Sequence, residues 1–186
     1  MDALGIDRVN WVGISTGGMI GQGLGIHYPD RIASLALCNT TSMANPWYKS
    51  WVAQRQAVVK ESGMNPIWEM THKLWFTDAF ADAQSAEYEH IRDIFVRTPV
   101  AGYLGGTSAV ADLQYLPDLH KIAVPTLIIA AGDDPVTPVD HSESIHQAIP
   151  KSTLVVINGQ RHFSNVEQPD QFNRPLVQFL ETLTEV

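Results

Sequence analysis

The chain has 186 residues, 45% of them hydrophobic, a formal net charge of −8 and one cysteine. Its length and apolar content suffice for a single domain with a packed core. The acidic balance argues against nucleic acid or an anionic membrane as partner, and the lone Cys38 excludes an internal disulfide framework or a multi-cysteine metal site.

Taken in order, residues Met1 to Asp7 read as the tail of a helix that Gly5 ends. Val9 to Ile14 is a first strand, apolar on both faces except at Asn10, as expected inside a parallel sheet. Thr16 to His27 is a helix containing Gly17, Gly18, Gly21, Gly23 and Gly25. Each glycine costs about 1 kcal/mol against alanine, so this helix is expected to depend on close packing against the sheet. Tyr28-Pro29-Asp30 ends it, and Ile32 to Asn39 is the second strand. A strand, a helix and a strand joined by short loops make a βαβ unit with parallel strands.

From Thr40 to about His120 the pattern becomes helical and holds four of the five tryptophans: Trp47, Trp51, Trp68 and Trp75. Four helices are expected. The first carries Trp47, Trp51, Val52, Val58 and Val59, and the second Ile67, Met70, Leu74 and Trp75. Tyr88, Ile91, Ile94 and Phe95 mark the third, and Val100 to Leu113 the fourth. Such a segment between strands is expected to form a helical cap over residues 41–120, with core segments at 1–40 and 121–186. Tryptophans at helical spacing usually fill a core; a wall over a pocket uses the same residues, with Trp47 and Trp75 as candidates. Alternation then resumes. Pro125 to Ala131 is a third strand, Asp140 to Ile149 a helix, and Thr153 to Ile157 a fourth strand. Pro169 to Leu183 is a terminal helix, with a kink or restart expected at Pro175.

The loops after the strands carry the chemistry. Gly13, Ser15 and Gly17 form Gly-x-Ser-x-Gly at the turn between the first strand and its helix, the nucleophile-elbow pattern. A side chain at Gly13 or Gly17 is expected to crowd the neighbouring backbone. Three fixed positions recur by chance in about one chain of this length in twenty, so the strand-turn-helix context matters more than the pattern. The N–H of Thr16, at the start of the helix, would face an anion formed on Ser15. Asp133 and Asp134 come after the third strand, and His162 after the fourth. In open α/β sheets ligands bind at the carboxyl ends of the strands, so all of these fall at one edge. A serine hydroxyl needs a base, histidine serves near neutral pH, and an aspartate fixes its tautomer. Each residue alone would be unremarkable in a loop; their joint placement, in the order Ser, Asp, His, points to a catalytic triad. The other six histidines lie on predicted helices or their ends and receive no role.

These features resemble the α/β-hydrolases, and over the whole chain the 3-oxoadipate enol-lactonase branch. The likeness rests on residues 13–22 and on Ala36-Leu37-Cys38-Asn39-Thr40. It extends to Trp75-Phe76-Thr77 and Thr98-Pro99-Val100-Ala101-Gly102-Tyr103, then to residues 124–130 and Asp134-Pro135-Val136-Thr137-Pro138, and ends at residues 162–169. The resemblance implies Ser15 as nucleophile, His162 as base, Asp134 as acid with Asp133 as fallback, and Thr16 as one oxyanion donor. It implies cleavage of a small lactone or ester in aromatic-compound breakdown, without metal or organic cofactor. A lactone bearing a carboxylate would need a cation, for which Arg55, Arg97 and Arg161 are candidates.

Members of that family place several strands ahead of the elbow and draw a second oxyanion donor from a loop there. The resemblance therefore implies that this chain is the C-terminal part of such a fold, with an impaired oxyanion hole. Its elbow strand would be an edge, open to self-association. A carboxylesterase, a perhydrolase or a C–C bond hydrolase could use the same residues, and a non-catalytic binding fragment is a further reading. A haloalkane dehalogenase is disfavoured, because its nucleophile is an aspartate. The absence of a long apolar run or a basic, then apolar, leader makes a reducing cytoplasmic setting the expectation.

Overall fold

Four strands, all parallel, form one sheet in the order β1–β2–β3–β4 in a computed structural model that describes residues 1–44 and 46–183. They are β1 (Val9–Ile14), β2 (Ile32–Cys38), β3 (Thr126–Ala131) and β4 (Ser152–Ile157). The chain divides into two compact units, Met1–Ser42 with Tyr115–Val186, and Met43–Gln114.

In the first unit the central strands are the apolar runs. Every residue of β3 is buried, and so is every residue of β2 except Ala33. Alternation sorts β2 between two cores. Leu35 and Leu37 join Ile122, Ile128 and Ile145 on one face, where Leu24 of α1 (Thr16–His27) and α8 (Val139–Ala148) pack. Ala36 and Cys38 join Ile129, Ile157 and Phe172 on the other, beneath α10 (Pro169–Thr182). Burying such side chains stabilises by roughly 1.5–3 kcal/mol each, and it is this layering that holds the strand ends in place.

The glycines of α1 let that helix lie against the sheet. A Cβ on Gly21 would come within 2.6 Å of the Trp11 ring, and one on Gly18 within 2.7 Å of the Thr40 side chain. Residues Asp2–Leu4 form a single 3-10 turn, ended by Gly5 in the left-handed conformation (φ 62°). The terminal helix runs through Pro175 as one element, so of the expected kink or restart the restart does not occur. Its apolar stripe of Phe172, Leu176 and Phe179 stays against the sheet on both sides of the proline.

Strand β1 lies at the edge, with Asn10 and Val12 exposed on one face and Val9 and Trp11 half-buried on the other. Beside it opens a cleft of about 450 Å³, lined by Met1, Trp11, Ile20, Leu24, Tyr28 and Arg31 among others.

The second unit contains six helices among the described residues, not four: α2 (Pro46–Ser62), α3 (Met64–Glu69), α4 (His72–Trp75), α5 (Asp78–Ala83), α6 (Ala86–Val96) and α7 (Val100–Ala111). The single helix expected around Ile67 to Trp75 is broken at Met70-Thr71. Its cause is polar: Arg55, on α2, donates from its guanidinium to the carbonyls of Ile67 and Met70 at the end of α3. The extra helix α5 is capped by the Thr77 hydroxyl, which accepts from the Phe80 N–H. An aromatic cluster of Trp68, Tyr88, Phe95 and Trp75 forms the core of this unit. No helix of the described residues is long and apolar enough to cross a membrane.

Candidate active site

The registers Ile14↔Cys38, Cys38↔Ile129 and Ala131↔Ile157 bring the four strand ends to one edge of the sheet. The loops that emerge there begin with Ser15, Asn39, Gly132 and Asn158.

Ser15 occupies a sparsely populated conformation, φ 52° and ψ −117°. A non-glycine residue there costs of order 1–3 kcal/mol and persists only where its surroundings impose it. Here they do. The Ser15 N–H donates to the Cys38 carbonyl at 2.8 Å. The Ser15 carbonyl accepts from Gly18 N and Met19 N, and from Thr40 Oγ1 at 2.7 Å. Trp11 Nε1 fastens the next turn by donating to the Gly17 carbonyl at 2.9 Å. Gly13 is required by close approach, since a Cβ would lie 2.2 Å from the Gly17 oxygen. Gly17 is not: a Cβ there would meet nothing within 4 Å, which corrects the expectation that both glycines of the elbow avoid crowding. The reason is that Gly17 already belongs to α1 and points away from the strand. Thr16 is the first residue of that helix, so its N–H has no acceptor within the helix.

Of the two aspartates after β3, Asp133 is exposed and Asp134 is buried. The Asp133 N–H donates to the Gln160 carbonyl, and the Gly132 N–H to the Ile157 carbonyl, which joins the loops after β3 and β4. Asp134 Oδ1 accepts from the N–H groups of Val136 and Thr137 at 2.8 and 3.1 Å. Its Oδ2 accepts from Thr137 Oγ1 at 2.7 Å and pairs with His162 Nδ1 at 2.7 Å. The side chains of His162 and Asp134 are 2% and 0% exposed. A carboxylate can only accept, so His162 Nδ1–H is the donor of this pair.

Thr137, Asn39, Thr40 and Ser164 received no individual role from sequence reasoning, although they lie in the stretches that carry the resemblance. Asn39 Nδ2 donates to the His162 carbonyl at 2.7 Å and to Ser164 Oγ at 3.0 Å. For Asn39 and Thr40 the signal that could have found them was polar residues placed directly after the apolar strand β2, where a sheet edge leaves polar groups to be satisfied. Cys38, just before them, is buried in an apolar setting that pushes its thiol up to about 12. Among the described residues no group of three His, Cys, Asp or Glu side chains could hold a metal ion.

The remaining candidates lie in the second unit or beside His162. Trp47 is 63% exposed and stacks on Trp51, whereas Trp75 is half-buried with its ring edge-on to Phe95. Arg97 is exposed and paired with Asp93 at 3.2 Å. Arg161 is half-buried and directly precedes His162.

Residues 1–169 match the model of the alpha/beta hydrolase fold family. The chain belongs to that family. Among relatives within the alpha/beta hydrolases, it is 35% identical over 173 residues to 3-oxoadipate enol-lactonase 2 of Acinetobacter baylyi, covering 93% of this chain and 64% of the relative. It is 32% identical to 3-oxoadipate enol-lactonase 1 of the same organism, covering 98% of this chain and 68% of that one. Among solved alpha/beta hydrolase structures, the enol-lactonase from Burkholderia xenovorans superposes with a TM-score of 0.92 at 31% identity, covering 97% of this chain and 68% of that one. The chain thus spans about two thirds of the length of these relatives.

Proposed function

We propose that the chain is the triad-bearing part of a serine hydrolase that opens a small lactone, or cleaves a small ester, through an acyl-enzyme. The observation that carries this reading is the buried Asp134–His162 pair at the same sheet edge as the strained Ser15. Ser15 Oγ attacks the carbonyl carbon while its proton passes to His162 Nε2. Asp134 holds the imidazole by Nδ1 and steadies the imidazolium. The oxyanion forms beside the Thr16 N–H at the positive end of α1. The ring C–O bond then breaks, and the leaving oxygen takes the proton from Nε2. A water molecule gives its proton to Nε2, attacks the Ser15 ester and releases the acid, and the serine recovers its proton.

The names of the 3-oxoadipate enol-lactonase relatives support a lactone bearing a carboxylate as substrate, and the breakdown of aromatic compounds is the setting proposed for it. Arg161 is the candidate cation this reading favours, because it directly precedes the proposed base His162. The second unit would be the helical cap of such a hydrolase, and a reducing cytoplasm is the compartment proposed.

A fluorophosphonate probe tests the reading. Wild-type protein should label and Ser15→Ala should not; folded protein that fails to label would point to ligand binding without catalysis. For the substrate, enol-lactone hydrolysis is compared with that of simple aryl esters, and a strong preference for aryl esters removes the lactonase assignment. Arg161→Met should raise KM for the acidic lactone and leave that for a neutral ester unchanged.

A further inference from the structure

We infer that Asn39 is a positioning residue for the proposed base, and that Asn39 and Thr40 together tie the backbone of His162 to that of Ser15. The inference rests on the reading of His162 as base. Asn39 is fully buried at the end of β2, with its own N–H donated to the Ile129 carbonyl on β3. Its φ of 41° lies in the left-handed region, where asparagine is among the better tolerated side chains. Glycine would adopt that conformation more readily, so the backbone alone does not call for the amide. What the amide adds is two donor contacts, at 2.7 Å to the His162 carbonyl and at 3.0 Å to Ser164 Oγ. These grip the residues on either side of Phe163, at the point where the loop after β4 turns into α9 (Ser164–Glu167).

The cost of this arrangement is visible on the same side chain. Asn39 Oδ1 is buried without a hydrogen-bond partner among the described residues. A buried acceptor left unsatisfied destabilises the fold, so the contribution of the amide lies in what its Nδ2 holds. Asp134 fixes the imidazole through its ring, and Asn39 fixes the same residue through its main chain. The next residue completes the link, because Thr40 Oγ1 donates to the Ser15 carbonyl at 2.7 Å. Two consecutive residues at one strand end therefore set the backbone positions of the proposed nucleophile and base. A misplacement near 1 Å at such a site costs on the order of a hundredfold in rate.

The experiment uses Asn39→Gly, which keeps the backbone conformation and removes both donors. Asn39→Asp, with similar size and no N–H, serves if the glycine variant does not fold. Ser34→Ala is the stability control; it removes a half-buried hydrogen bond from the buried Ser34 to Asn10, toward the other end of β2. Two readouts are taken on folded protein: the rate of fluorophosphonate labelling, and the downfield proton resonance of the His162 Nδ1–H. In the Asn39 variants labelling should slow by about ten- to a hundredfold. The Nδ1–H resonance should broaden or shift, and Ser34→Ala should leave both readouts at wild type. An Asn39 variant that labels at the wild-type rate with an unmoved resonance overturns the inference, as does equal slowing by Ser34→Ala. If wild-type protein does not label, the hydrolase reading fails, and the resonance still decides whether Asn39 positions His162.

Discussion

His162 Nδ1 and Asp134 Oδ2 lie 2.7 Å apart, and neither side chain is open to solvent. The carboxylate accepts from Nδ1–H, and the proposed mechanism gives the basic role to Nε2. Its second oxygen organises its own loop, through the N–H groups of Val136 and Thr137.

That division of labour makes Asp134→Asn informative. The amide oxygen of asparagine can still accept from Val136 and Thr137, so the loop should keep its shape. The amide nitrogen cannot accept from Nδ1–H, so the imidazole should adopt the other tautomer. Fluorophosphonate labelling should slow by roughly 10⁴-fold, with the thermal midpoint little changed. Asp133→Asn should leave labelling untouched, because Asp133 is exposed and its link to the site is through its backbone. Equal slowing in both variants would remove Asp134 from the proposed triad.

The sheet and the site differed in how legible they were from residues alone. The apolar runs of β2 and β3 admit one reading, since both of their faces are covered. Ser15, Asp134 and His162 could be picked out because chemistry restricts the residue types and because strand ends converge. The division of Ile67 to Trp75 into two helices could not be read, because it depends on Arg55 reaching the α3 carbonyls from another helix. The tolerance at Gly17 was hidden for a similar reason: the direction of a missing Cβ depends on where the helix begins. Asn39 and Thr40 were visible as letters, but their hydrogen bonds reach residues far along the chain.

The two elbow glycines should behave oppositely. Gly13→Ala drives a Cβ to 2.2 Å from the Gly17 oxygen and 2.3 Å from its carbonyl carbon, both backbone atoms that cannot swing aside. The turn must open, at a cost of about 1–3 kcal/mol or more, and labelling of Ser15 should be lost. Gly17→Ala places its methyl in open space within a helix, where alanine is favoured by about 1 kcal/mol. Urea denaturation should show a stability equal to or above wild type. A destabilised Gly17→Ala with a normal Gly13→Ala would mean the elbow is built otherwise.

Arg55 should matter for the stability of the helical unit. The residue is 2% exposed, and its guanidinium meets neutral acceptors: the carbonyls of Ile67 and Met70, Thr71 Oγ1 and the Tyr103 hydroxyl. It also lies 4.3 Å from the centroid of the Trp51 ring. A planar fork can serve several acceptors and stack at once, whereas an ammonium cannot. Arg55→Lys should therefore destabilise by about 2–4 kcal/mol, with carbonyls at the end of α3 left unpaired. Arg97→Lys, whose parent is an exposed pair with Asp93, should change stability by under about 1 kcal/mol. Thermal melts of the two variants check this, and equal midpoints would refute the role of Arg55.

Alkaline pH should weaken the fold through Cys38. Burial raises its thiol from an ordinary 9.0 to about 12, so the folded chain keeps the proton where the unfolded chain gives it up. Stability is fully present below pH 9 and is lost as pH climbs toward 12, because the unfolded state alone ionises in that window. The slope is about 1.4 kcal/mol per pH unit, so wild-type protein should be about 1.4 kcal/mol less stable at pH 10 than at pH 8 from this group. Burial also raises the phenols of Tyr48 and Tyr88, which adds in the same direction at higher pH. Cys38→Ala should be weaker at pH 8, having lost buried volume, but should show a shallower decline to pH 10 in urea titrations. The native thiol should also resist iodoacetamide at pH 8 and react once urea unfolds the chain. An unchanged slope in Cys38→Ala, or rapid alkylation of the native protein, would mean that β2 is not sealed at its end.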